Sequence, residues 1–222
     1  MLVIKFKKQK QKHCTMKSIV IALASVALLS VSCKKEAKKE DAPKTVEVTE
    51  SNAKTYQVSS KGSEAYWTGY KFTNKTAVKG KFKTINITNA PVAKSAIEAF
   101  NGVTFTIPTS SVFSDNPERD GKLKTLFFDI MDATELITGT FKTKGNEIVV
   151  DLKLNNVTKT IPLTSKISDR HVKLDGSINI MDFGAETAFN SIHKECEALH
   201  TGTDGVSKTW EEFGIEAIVF LK

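Results

Sequence analysis

IVVDLKLNNVTKTIPLTSKISDRHVKLDGSINI, residues 148–180, carries the pattern that decides the fold. Ile148, Val150, Leu152 and Leu154 alternate with Val149, Asp151 and Lys153; Val172, Leu174, Ile178 and Ile180 alternate with Lys173, Asp175 and Asn179. A period of two puts one row of side chains on a buried face and the other in water, so both rows predict half-buried strands. Asn155 with Asn156, and Asp169 with Arg170, are turn residues placed between apolar runs.

The same reading extends outward to strands at 56–59, 64–72, 78–87, 103–107, 136–142, 159–167 and 214–221, with further turns at Lys61-Gly62 and Lys144-Gly145. Short strands joined by tight turns predict an antiparallel all-β domain, a barrel or a sandwich. Three helical stretches interrupt them. One covers 92–100; another covers 117–127, with Asn116 as its cap and Pro117 in its first turn. The last covers 185–199, is stopped by Gly202, and carries the apolar stripe Phe189, Ile192, Cys196 and Leu199.

Ahead of the strands, MKSIVIALASVALLSVSC at 16–33 has a lysine, an apolar run and small residues before a cysteine, the parts of an export signal. A membrane span needs about 20 apolar residues, and this run is too short. Ser30-Val31-Ser32-Cys33 reads as a relaxed lipoprotein box, so residues 1–32 are expected to be a signal peptide, with Met16 a candidate true start, and Cys33 the lipidated residue. The expected location is the cell envelope, anchored to a membrane and facing the periplasm. Residues 33–54, rich in alternating charges, lack the apolar surface to fold alone and form a tether. Residues 55–222 form one domain.

The formal net charge of +7 belongs mostly to the leader. Its six lysines, removed from 32 basic residues, leave 26 against 25 acids, and no basic face for nucleic acid is expected. Of three cysteines only Cys196 lies in the domain, so no internal disulfide forms there.

Several short motifs resemble the YceI-like family: Tyr56-Gln57-Val58, Val78-Lys79-Gly80-Lys81-Phe82, the run from Asn116 to Leu123, Phe127-Phe128-Asp129, Val157-Thr158-Lys159, Asp182-Phe183-Gly184 and Lys208-Thr209-Trp210. Lys71, Lys122 and Ile180 stand where that family often has histidine, histidine and arginine. The resemblance implies an eight-stranded antiparallel lipocalin-like barrel, short helices covering one end, and a long isoprenoid or related amphiphile inside. The residues expected to line the cavity are Trp67, Phe82, Phe105, Phe127, Phe128, Phe141 and Phe183. Inward glycines such as Gly69, Gly80, Gly139 and Gly176 either keep a channel open or mark bulges. Arg119 and Lys122 are placed to meet a head group, the alternative being that Arg119 pairs with Asp120 or Asp129.

No serine elbow, paired-cysteine motif or phosphate loop is present in the sequence. His193, Glu197 and His200 share one side of the predicted last helix and are weak metal candidates; otherwise no metal, cofactor or enzymatic activity is expected. The sequence thus predicts a lipoprotein that stores or carries a polyisoprenoid, quinone or other long-chain lipid and reaches a membrane through Cys33. A homodimer is left open. The alternatives are an interaction or stress-protection module with a filled interior and, less favoured, a metal-dependent enzyme using the histidine helix.

Overall fold

The computed structural model describes residues 54–133 and 135–222, so the signal, Cys33 and almost all of the tether lie outside the described residues. The domain is one antiparallel sheet: β1 (Val58–Lys71), β2 (Thr76–Phe82), β3 (Asn86–Asn89), β4 (Thr104–Pro108), β5 (Val112–Phe113), β6 (Leu136–Lys144), β7 (Glu147–Leu154), β8 (Val157–Ser168), β9 (His171–Asn179) and β10 (Glu212–Leu221). In space the order is β3-β4-β6-β7-β8-β9-β10-β1-β2-β5. Two helices, α1 (Pro117–Lys122) and α2 (Glu186–Glu195), accompany it.

The expected closed eight-stranded barrel is not formed. The sheet has ten strands and curls through 299° with its edges 14 Å apart, an open half-barrel. The reason lies at the edges. Residues 78–87, read as one strand, break after Phe82, where the Lys83 N–H donates to Ser111 O at 2.9 Å. β3 then pairs with β4 at one edge while β2 pairs with the two-residue β5 at the other. Conversely, 56–59 and 64–72 merge into β1, with an irregularity between Ser59 and Glu64.

The β6-to-β9 meander keeps the predicted alternation. Ile148, Val150, Leu152, Leu154, Val172, Leu174 and Ile178 are buried. Asn155 and Asn156 both have positive φ (48° and 60°), the turn whose twist matches a two-residue hairpin.

The helices are shorter than their apolar patterns. Asn116 caps α1 by accepting from the Arg119 N–H at 2.9 Å. From Leu123–Phe127 the chain makes a π turn, and from Phe128–Ile130 a 3-10 turn. Thr125 Oγ1 donates to Gly121 O at 3.0 Å, and a hydroxyl back-bonding to the previous turn bends a helix. Residues 92–100 retain only a 3-10 turn at Glu98–Phe100, because Ala93 pairs with Tyr56 as a bridge. α2 stops at Glu195, and His200 belongs to a separate 3-10 turn, Ala198–His200.

Asn155 fastens these pieces to the sheet. Buried at the β7–β8 turn, its side chain accepts from the Asp132 N–H at 2.7 Å and donates to Phe183 O at 2.9 Å. Replacing it by alanine strips partners from two backbone groups and leaves a non-glycine residue at positive φ. Asn155→Ala is expected to lower unfolding free energy by about 2–3 kcal/mol in urea titration; a loss under about 0.5 kcal/mol would show the bridge to be dispensable.

Candidate functional site

The inner face of the curled sheet encloses a cavity of about 150 Å³. Its wall comes from alternate positions of many strands: Trp67 from β1, Phe105 and Ile107 from β4, Ile137 and Phe141 from β6, Val150 and Leu152 from β7, and Phe213 and Ile215 from β10. Phe127, from the π turn, and Phe128, from the 3-10 turn that follows it, also line the cavity, their rings 5.3 Å apart; Phe127 lies 5.9 Å from Phe213 and Phe128 6.2 Å from Phe82.

Gly80 and Gly139 neither mark bulges nor open the channel directly. At Gly80 and Gly139 strand register is continuous. A Cβ on Gly80 would come within 2.5 Å of Trp67 Cε2 and 2.7 Å of Phe113 O; one on Gly139 would come within 2.6 Å of Phe105 Cε1. A Cβ on Gly176 would meet Leu163 at 2.7 Å. Each glycine therefore lets a large cross-strand side chain lie back against the sheet instead of standing across the interior.

A second compartment of about 330 Å³ adjoins the first, and Trp67, Leu123, Phe127 and Phe213 line both. Its other walls carry charge and hydroxyls: Lys71, Arg119, Lys122, His200 and Thr209, with Tyr70 and Trp210. Arg119 is held by Ser114, donating from Nε to Oγ at 2.8 Å and from a terminal nitrogen to O at 3.2 Å, while Ser114 Oγ donates to Asp120. Lys122 lies 3.0 Å from Glu118 and 3.5 Å from Glu195, linking α1 to α2; the glutamates raise its pKa. Lys71 makes no ion pair among the described residues and sits 4.5 Å from the Phe72 ring centroid. His193 Nδ1 and His200 Nδ1 meet on Thr209 Oγ1 at 2.9 and 2.6 Å. Burial, assisted by Lys71 and His193, pushes the His200 pKa below the ordinary histidine value.

The YceI-like domain family matches residues 56–209. The chain belongs to that family. Its YceI-like fold is similar to a polyisoprenoid binding domain from Saccharophagus degradans implicated in plant cell wall breakdown (TM-score 0.54, 13% identity, covering 75% of this chain and 97% of the other). Burkholderia cenocepacia BcnA matches at TM-score 0.48 and 15% identity over 74% and 99% of the two chains. A Campylobacter jejuni YCEI protein matches at 0.41 and 23% over 60% and 82%. No curated protein matches the sequence.

Within the YceI-like domain, Trp67, Phe82, Phe105, Phe127, Phe128 and Phe141 line the inner compartment. Phe183 does not; it is fully buried in the core behind it. Arg119 faces the outer compartment but is bonded to Ser114, not to Asp120 or Asp129 as the alternative reading had it. Among the described residues no cluster of three or more histidine, cysteine, aspartate or glutamate side chains is arranged to hold a metal. The end of α2 breaks the helical phase between His193 and His200, which face Thr209, and burial pushes the Cys196 thiol up. Ile180, at the position where the family often has arginine, is buried and lines the inner cavity. Sequence reasoning missed Leu123 and Phe213 as lining residues. Phe213 was one residue outside the predicted last strand, and nothing in a helical pattern announces the π turn that presents Leu123.

Gly139→Ala is expected to push the Phe105 ring into the cavity, reducing binding of an apolar fluorophore at least about fivefold while costing about 1–3 kcal/mol of stability. Unchanged binding would show that the ring does not border the ligand space. The neutral form of His200 is favoured by folding, so unfolded chain takes up the proton first and stability falls as pH drops below about 6.5. The fall in melting temperature between pH 7.5 and 5.5 should be smaller in His200→Asn than in the parent; an equal fall would assign it to other groups.

Proposed function

We propose that this YceI-like domain is a binding module of the cell envelope that holds a polyisoprenoid, quinone or fatty-acid-like amphiphile, with its tail in the inner compartment and its head in the outer one. The observation that carries this reading is the junction at Trp67, Leu123, Phe127 and Phe213, where an apolar cavity adjoins a polar mouth. Such a division suits a molecule with one apolar and one polar end. Each buried methylene contributes about 0.8 kcal/mol, so every carbon of the tail that enters the inner compartment adds to retention. The similar Saccharophagus degradans domain, described as polyisoprenoid binding, supports the ligand class. Arg119 and Lys122 stand at the mouth where a head group would sit.

The leader makes the second half of the proposal. Export and lipidation at Cys33 would leave the domain on a tether about 20 residues long, within reach of a bilayer that supplies or receives the ligand. Among the described residues no helix is long and apolar enough to cross a membrane, and the proposed anchor is the lipid alone.

Native mass spectrometry, with extraction of protein made in its own envelope, should show a reproducible amphiphile leaving with the protein. A protein that is repeatedly empty would favour the filled-interior alternative. Cys33→Ser should move the protein from the membrane fraction to the soluble one and abolish incorporation of labelled fatty acid; continued incorporation would overturn the assignment of Cys33.

A further inference from the structure

Trp67 presents the unspent polar group of the cavity. Its Nε1 is buried and has no hydrogen-bond partner, and it stands out in this among the described side chains. The ring is held by its neighbour: Cε2, the carbon bonded to that nitrogen, lies over Gly80, where a side chain would displace it. Trp67 is one of the four residues that line both compartments.

The other polar side chains lining the inner compartment are engaged. Ser63 Oγ donates to Ser59 O at 2.6 Å and accepts from the Phe220 N–H at 2.9 Å. Tyr66 Oη donates to Glu64 at 2.6 Å, an arrangement that raises the phenol to about 12. Beyond the junction, Thr209 and His200 bond each other and Lys122 is paired, whereas Lys71 is not. Glu216, which also lines the inner compartment, is paired with Lys173 at 3.0 Å, and the neutral group there without a partner is the indole N–H. An indole N–H can only donate, so its partner must be an acceptor.

We propose that Trp67 is a specificity-determining residue: its indole N–H binds the first oxygen of the ligand, at the point where tail joins head, and selects acid, ester, alcohol or ketone amphiphiles over hydrocarbons of equal length. This rests on the amphiphile-binding reading above and deepens it. A buried donor left without a partner penalises the wrong ligand more than a well-made bond rewards the right one, which makes a single such group an effective discriminator.

The test uses the full chain, delipidated and 15N-labelled, with dodecanoate, dodecan-1-ol and dodecane as probes below their aggregation limits. The protein has two tryptophans, and Trp210 Nε1 already donates to Phe72 O at 2.8 Å, so it is the internal control; Trp210→Phe assigns the signals. The Trp67 indole resonance should shift downfield and saturate with dodecanoate and dodecan-1-ol but not with dodecane. Trp67→Phe should bind dodecanoate about tenfold more weakly and leave dodecane within about twofold. If all three probes bind with the Trp67 resonance unmoved, the donor role is overturned while amphiphile binding stands. If none binds, the binding reading fails and the Trp67 role fails with it. The parent measurements decide the matter even if Trp67→Phe does not fold.

Discussion

An apolar sheet face that curls without closing is the constraint on which the rest of this molecule depends. The edge strands are too short and too far apart to pair, standing 14 Å from each other, and an inner face so rich in aromatic and branched side chains cannot be left to water. The chain answers from outside the sheet. The segment from Leu123–Phe127 through Phe128–Ile130 sets Phe127 and Phe128 against Phe82 and Phe213. Asn155 then ties that segment and the Phe183 turn to the β7–β8 hairpin. Within the sheet, glycines opposite Trp67 and Phe105 let those rings lie flat. The cavity is what remains when the rings recline and the plug comes from one side only.

That arrangement also sets the chemistry of the opening. The plug ends where α1 and α2 approach, and the Glu118–Lys122–Glu195 cluster spans them at the protein surface, where screened ion pairs contribute little to stability. The His193–Thr209–His200 contact is different in kind, since partial burial disfavours charge on His200. An apolar interior and a polar rim therefore arise from one structural decision, the placement of the π turn between them.

Strands whose two faces differ in polarity were legible in the sequence. The rows at 148–154 and 172–178 and the turn at Asn155 and Asn156 fell where the alternation put them, because each face meets a single environment. Trp67, Phe82, Phe105 and Phe141 occupy the inner wall from strands, where period two fixes facing, whereas Phe127 and Phe128 reach it from the turns after α1 and Phe183, in a 3-10 turn beyond β9, does not reach it. Strand number and closure were not legible. Residues 78–87 show one apolar pattern, and long-range pairing divides it between opposite edges, Phe82 with Val112 and Lys83 with Ser111 at one, Ile87 with Phe105 at the other. Helix ends failed for a similar reason: the stripe through Cys196 continues past Glu195, but Leu199 is exposed and the backbone has already turned. The Ser114 anchor of Arg119 and the bonding of both histidines to Thr209 join residues by geometry that no local spacing encodes.

The central claim, that a ligand chain runs from the outer compartment, past the junction lined by Trp67, Leu123, Phe127 and Phe213, to lie beside Phe105 and Phe141, is tested most directly by a crystal structure of protein purified with its own lipid. The account predicts continuous tubular density running from the Lys71 and Arg119 side past Trp67 into the curled sheet. Well-ordered side chains filling that space, with lipid density confined to the outer surface, would contradict it.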